Sequence, residues 1–518
     1  MTSEPVLTEI PPANAIPSTA GMTTKVVKGS LWTLGGQVLP MAVALIATPF
    51  TIRFLGSEGY GVVILVGLIP TYFSAAEFGM TTASTKFASE AFGRANFVKE
   101  GEIVWTAASI ATLSSLLVTL PLFFLSSFII KELNVPENLQ MQASIALKLT
   151  SVAFVFGNLS TIFNSPMLSR LRMDLNTFTS AGPKILLSAV TPFILYFGGG
   201  IVGAVSWAFI VTITTLVVVF FLSGRLLPGL FQPRINTQYL RPLLKFGGAT
   251  MVATFASMLL GNSEKLVLTK FVSVQALAHY SIAFTFANLA TMFALAMLQS
   301  LIPAFSQIAT PEKSREFDDL FSRSMRLTLI WALPTVMVLF VIAKPFFSLW
   351  AGEEYGREST IPLYFLLIGF IFGLLAFVPV ASITAFGRQD IFVKLYWIEL
   401  PIYLVIAVIL VNALGIVGAA LAWSIRVMID SIILRHMSAR ITGHSFRLAS
   451  AALPLLFPIA SLIPPVIVAF FSDNNPFLIV PAVFCSLSLY TILIWKYFLM
   501  SEERQWLLST LSFLRWWS

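Results

Sequence analysis

The chain has 518 residues and a formal net charge of +8, is 57% hydrophobic and only 11% charged, and has a mean hydropathy of +0.87. A soluble domain carries about 25% charged residues, so a water-soluble fold is excluded and an all-α integral membrane protein is expected. The single cysteine, Cys485, excludes an intramolecular disulfide.

Residues 1–24, with Pro5, Pro11, Pro12 and Pro17 among Thr, Ser and Glu, lack the basic start and cleavage site of a signal peptide. A disordered cytosolic tail is expected there. Apolar runs of about 20 residues follow, each long enough to cross a hydrocarbon core of about 30 Å. Fourteen are expected, near 30–52, 60–78, 103–130, 141–165, 177–197, 201–222, 246–269, 278–303, 326–345, 360–383, 391–411, 416–437, 451–471 and 477–499. Spans 1–6 (25–222) form an N-lobe, 223–245 a cytosolic linker, spans 7–12 (246–440) a C-lobe, and 441–500 the additional spans 13 and 14. The leucines of the linker, with Phe231, suggest that it rests on the membrane surface. Residues 501–518 place Trp506, Phe513, Trp516 and Trp517 among charges, which suits an interfacial amphipathic helix.

Lys and Arg set the orientation. Of the 32, 23 fall in segments on one side and 6 on the other, and Lys148, Lys184 and Arg426 lie inside spans. The rich side is the cytosol, which places both termini there. Topology accounts for the positive charge, and nucleic acid is not needed as a partner.

The six-helix lobes are expected to be pseudo-symmetric because sequence recurs. Gly200-Ile201-Val202-Gly203-Ala204 returns as Gly415-Ile416-Val417-Gly418-Ala419, Arg172 and Asp174 as Arg388 and Asp390, and Lys28 as Lys245. Three matches at nearly one offset indicate duplication, and an even number of spans relates the copies by an axis along the membrane normal. Two like units around a central site suit a transporter. Pro40 and Pro49 in the first span are a candidate hinge, since each removes a helix hydrogen bond.

An ionised side chain at the bilayer centre costs roughly 2.5 to 3.5 kcal/mol on insertion scales and needs a partner or a wet cavity. Lys148, Lys184 and Arg426 are therefore candidate substrate-binding residues for an anionic cargo. Structural alternatives stand beside each. Arg426 has Asp430 four residues on, Lys184 maps onto Glu399 through the repeat, and Lys148 has snorkelling to the surface. Glu77, Glu264 and Glu399 are candidates for ion coupling by H⁺ or Na⁺, with structural pairing the alternative for Glu264. No other cofactor is expected. His279, His436 and His444 share no ligand spacing, so no metal site is expected.

The first hairpin, Phe54-Leu55-Gly56-Ser57-Glu58-Gly59-Tyr60-Gly61, carries a leucine-glycine then tyrosine-glycine pattern. Phe78-Gly79-Met80 with Thr85, Lys86 and Phe87, the two Gly-Ile-Val-Gly-Ala hairpins and Phe386-Gly387-Arg388 complete a set spread over residues 25–440. This set resembles the polysaccharide and oligosaccharide flippases of the multidrug/oligosaccharidyl-lipid/polysaccharide exporter superfamily. The resemblance implies transport, by alternating access, of an oligosaccharide on a polyprenyl pyrophosphate from the inner to the outer leaflet of a bacterial plasma membrane. It implies no catalytic residues, and partners that are membrane lipids and a polysaccharide polymerase with other assembly proteins. The first span offers Gln37 but no Arg or Asp, a departure from the related peptidoglycan-precursor flippases.

Two other readings stand beside this one. A multidrug exporter of the same superfamily would use an acidic pocket, whereas buried Lys and Arg favour an anionic cargo. A membrane polymerase or ligase would need a large outer loop. The longest here, near Lys344 to Thr360, is short but holds Glu353, Glu354, Arg357 and Glu358.

Overall fold

A computed structural model describes residues 19–291, 301–302, 304–308, 314–442, 456–471, 476–498 and 504. The interfacial helix expected at 501–518 lies outside them apart from Arg504, as do residues 1–18 of the expected tail. The described residues form helices without strands, and ten helices are long and apolar enough to cross a membrane. Two of the ten each hold two expected spans. The chain divides into two compact units, residues 1–261 and 262–518.

In the first unit, α1 (Thr19–Tyr72) carries spans 1 and 2, with its one non-helical residue at Gly56 (φ 70°, ψ 171°). That backbone is open to glycine and costly for other residues, so the hairpin turns at the leucine-glycine motif. Pro40 and Pro49 leave α1 helical on both sides. Then come α2 (Met80–Gly93), α3 (Phe97–Phe124), α4 (Ser126–Glu132), α5 (Glu137–Phe163), α6 (Ser165–Ser169), α7 (Met173–Tyr196) and α8 (Gly200–Leu226). Met80, Ile103, Val104, Ala107, Ile162 and Met167 form its buried core.

The linker is fastened to protein. Trp105 Nε1 donates to Leu230 O at 2.9 Å, Asn236 N to Thr106 Oγ1 at 3.1 Å, and Asn236 Nδ2 to Glu102 Oε2 at 2.9 Å. Leu227, Leu230 and Leu243 are buried in the unit's core, while Phe231 and Leu244 remain exposed. The linker's leucines thus divide between an α3-facing side and an outer side. The chain continues into α9 (Leu240–Phe271), within which the unit boundary falls.

The second unit holds α10 (Val274–Asn288), α11 (Ser314–Ala351), α12 (Glu353–Glu358), α13 (Thr360–Ala385) and α14 (Asp390–Thr442), then α15 (Leu456–Ala460), α16 (Ile463–Phe471) and α17 (Pro476–Tyr497). Spans 11 and 12 are the two arms of α14, which break at Gly415 (φ 57°, ψ −127°). Beside the break, a Cβ on Gly418 would collide with the Leu410 carbonyl, so glycine lets the arms close on each other. Spans 13 and 14 add Leu462, Ala469, Ile479, Tyr490 and Ile494 to a core shared with Phe317, Met325, Leu329 and Ile330. Tyr490 also donates its hydroxyl to Ile330 O at 2.9 Å. Ile330 is four residues before Pro334, whose missing N–H would otherwise leave that carbonyl unpaired.

The recurring sequence folds the same way twice. Leu171 (φ 54°) and Gly387 (φ 69°) each precede an arginine that bridges an aspartate two residues on. Arg172 Nη2 lies 2.8 Å from Asp174 Oδ2, and Arg388 Nε lies 3.1 Å from Asp390 Oδ1. Both aspartates sit in the first turn of a helix, where the helix dipole favours them. The turn after each helix holds a positive-φ glycine, Gly200 (φ 56°) after α7 and Gly415 (φ 57°) after the first arm of α14.

Candidate functional site

Three expected site residues meet in the second unit. Glu264 lies on the part of α9 that belongs to this unit, Glu399 on the first arm of α14, and Arg426 on its second arm. Helical spacing supplies their companions: Tyr403 is four residues after Glu399, and Asp430 four after Arg426, so each pair shares a face. Glu264 is fully buried and accepts from Tyr403 Oη at 2.7 Å and from Tyr280 Oη at 3.2 Å. The Arg426 guanidinium lies over the Tyr403 ring, 5.5 Å from its centroid.

Lys265 completes the cluster. Its Nζ donates to Asn262 Oδ1 at 2.7 Å and stands 4.6 Å from the Phe284 ring centroid. Phe284 packs edge-on against Trp423, which also meets Phe370, so the floor of the site is aromatic. Several buried polar atoms have no hydrogen-bond partner among the described residues: both Glu399 oxygens, Arg426 Nε and Asp430 Oδ1. Buried polar groups are normally paired. A partly exposed guanidinium with a spare donor, beside carboxylates with spare acceptors, can take an anion, a proton or a cation.

The other expected residues belong to the first unit. Lys148 on α5 is half-buried with its ammonium 5.6 Å from the Phe123 ring centroid, and Lys184 is exposed on α7. Glu77, in the 3₁₀ turn Ser74–Glu77, accepts from Thr81 Oγ1 at 2.7 Å, and Thr81 in turn meets Thr161 at 2.8 Å. Lys184 lies in the first unit and Glu399 in the second. Of the acids in the loop near 344–360, Glu354 meets His279 Nε2 at 3.2 Å and Glu358 forms an ion pair with Arg357 at 2.9 Å.

Sequence reasoning passed over Tyr280 and Tyr403 and treated Asp430 as a neutraliser of Arg426. The i, i+4 spacings within α14 were the available signal. It also passed over a buried pair in the first unit. Arg170 grips Glu100 through two bonds, Nη1 to Oε1 at 2.6 Å and Nη2 to Oε2 at 3.0 Å, with Ser169 Oγ donating to the same carboxylate at 3.0 Å.

Comparison with known proteins places the chain in context. The family model described as "Polysaccharide biosynthesis protein" matches residues 26–309, more than half of the chain. A protein of Shigella flexneri whose name gives it as an O-antigen transporter is 23% identical over 418 residues, covering 80% of this chain and 98% of that one. Among solved structures, the lipid II flippase MurJ in an inward closed conformation aligns with a TM-score of 0.70 at 15% identity, over 90% of this chain and 97% of that one. An inward-facing multidrug resistance MATE family transporter of the MOP superfamily aligns with a TM-score of 0.63 at 13% identity, over 80% and 94%. At these identities the likeness shows the fold.

Proposed function

The chain belongs to the polysaccharide biosynthesis protein family, and from that premise we propose that it flips a polyprenyl-pyrophosphate-linked oligosaccharide from the cytosolic to the outer leaflet by alternating access. It is a multi-pass membrane protein and a transporter rather than an enzyme. We place it in a bacterial plasma membrane with both termini in the cytosol, serving cell-surface polysaccharide synthesis beside a polymerase and other assembly proteins.

The reading is carried by the family match, joined to a half-buried, incompletely paired guanidinium in the second unit. Moving a pyrophosphate through an apolar layer requires that its charge be neutralised on the way. Arg426 is suited to grip a phosphate with two parallel N–H groups, and Lys148 and Lys184 to meet it as point charges. The polyprenyl tail has no such need and stays in lipid. In this mechanism Pro40 and Pro49 let the first helix bend between states. Glu77, Glu264 and Glu399 exchange a coupling cation, H⁺ or Na⁺.

Purified protein in vesicles should transfer a labelled lipid-linked oligosaccharide between leaflets. Arg426→Ala should slow transfer by about tenfold or more, as expected for losing a charge-assisted hydrogen bond of about 1.5 to 3 kcal/mol. Unchanged rates in both Arg426→Ala and Lys184→Ala would remove these residues from the cargo path. A cation-coupled multidrug exporter is the second reading, favoured by the carboxylates outnumbering the bases around Arg426 and by the MATE-like fold. Transport of an organic cation, with none of the lipid-linked sugar, would select it.

A further inference from the structure

The cluster of the second unit, with Glu264 and Glu399 buried and the others half-buried, holds three acids, Glu264, Glu399 and Asp430, against two bases, Lys265 and Arg426. An apolar interior does not hold an excess charge cheaply. Part of the cluster is already committed: Lys265 is bound to Asn262, and its neighbour Glu264 is held by two tyrosine hydroxyls. The remainder is one guanidinium and two carboxylates, Asp430 one turn beyond Arg426 on the same helical arm and Glu399 one turn before Tyr403, over whose ring the guanidinium lies. Glu399 is 8% exposed, and neither of its oxygens has a hydrogen-bond partner among the described residues. The other titratable groups around the pair are Tyr396 and Tyr403 on α14 and Tyr280 on α10, together with the α9 pair. The helix packed along α14, α13, contributes no charged side chain.

We infer that a phosphoryl anion binding at Arg426 takes up a proton with it, and that this proton lodges on the Glu399 and Asp430 pair. The inference rests on the reading of the cargo as a pyrophosphate and adds to it a residue, Asp430, and a link between anion binding and proton uptake. Before the anion arrives, the Arg426 charge offsets one of the two carboxylate charges in the cluster. When the guanidinium turns its donors to a phosphate, that offset is spent on the ligand and a second negative charge arrives beside the pair. The pair then holds one more proton than before, drawn from solvent as a new carboxyl O–H. Linkage makes the effect reciprocal: lower pH tightens anion binding and higher pH loosens it. The bound unit is then a partly neutralised anion, which lowers the cost of carrying the headgroup through the membrane.

The test is calorimetric titration of the full chain in detergent with inorganic pyrophosphate, in two buffers of different ionisation enthalpy. The expected wild-type result is uptake approaching one proton per anion, beyond what the variant Glu399→Gln/Asp430→Asn takes up at the same pH. The ligand's own protonation cancels in that difference. Wild-type affinity should weaken by up to about tenfold per pH unit as pH rises through the pair's titration, and the slope should flatten in the variant. Arg426→Ala should abolish binding while still melting cooperatively. Equal proton uptake in wild type and variant overturns the inference and leaves the lipid-linked cargo to the leaflet-transfer assay, which does not depend on it. Absence of pyrophosphate binding by cooperatively melting wild-type protein overturns the inference as well.

Discussion

Glu100 and Arg170 illustrate how a membrane protein holds charge away from water. The Glu100 side chain is fully buried, yet its carboxylate is matched by a two-pronged guanidinium and a serine hydroxyl, and Arg170 also lies over the Phe92 ring at 4.5 Å. Removing one partner strands the other, so Arg170→Ala should cost about 3 to 5 kcal/mol of stability, measured by denaturant unfolding. Arg170→Lys should recover part of this, because a point charge meets only one carboxylate oxygen well. At Glu264 the loss is smaller: Tyr403→Phe removes one hydroxyl while Tyr280 remains, at about 1 to 3 kcal/mol. The cluster around Arg426 was only half legible in sequence. Arg426, Glu264 and Glu399 stand out as charges in apolar runs, whereas Tyr280 and Tyr403 look like two more aromatics among many. Their role depends on contacts 16 and 139 residues away along the chain.

At the scale of the element, glycine and proline do most of the shaping. Gly415 adopts a backbone that an L side chain reaches only under strain, so Gly415→Ala should cost about 1 to 3 kcal/mol, read as a lowered melting temperature. The break in the α11 hydrogen-bond ladder at Pro334 gives a sharper test. Tyr490→Phe should cost about 1 to 3 kcal/mol by leaving Ile330 O unpaired, whereas Pro334→Ala restores an N–H for that carbonyl. In the double mutant Tyr490→Phe should therefore become nearly neutral. Additive effects of the two changes would refute the pairing. The spans themselves were readable because about 20 apolar residues in a row have few other uses. The glycine hairpins between spans 1 and 2 and between spans 11 and 12 were readable, but not that each turn narrows to one non-helical residue, Gly56 or Gly415, since hydropathy shows length and not the angle at a turn. The anchoring of the linker to α3 was hidden for a related reason. Its bonds join residues 125 to 134 apart, and its leucines look the same whether they face lipid or Ile103.

For the whole molecule, the strongest signal was repetition. A five-residue echo and an Arg-x-Asp pair, about 215 residues apart, mark two stretches that fold alike. Each has a left-handed residue, an Arg–Asp bridge, an apolar helix and a closing glycine. Such a duplicated, charge-poor, helical chain is what a transporter of an amphipathic cargo requires, with a polar part to shelter and a tail to leave in lipid. The most direct test is the leaflet-transfer assay with a fluorescent polyprenyl-pyrophosphate-linked oligosaccharide in sealed vesicles. The account predicts that purified protein exchanges the labelled lipid between leaflets far faster than protein-free vesicles, and that Arg426→Ala reduces the rate by about tenfold or more. Transfer no faster than in empty vesicles, by protein shown to be folded and correctly inserted, would contradict it.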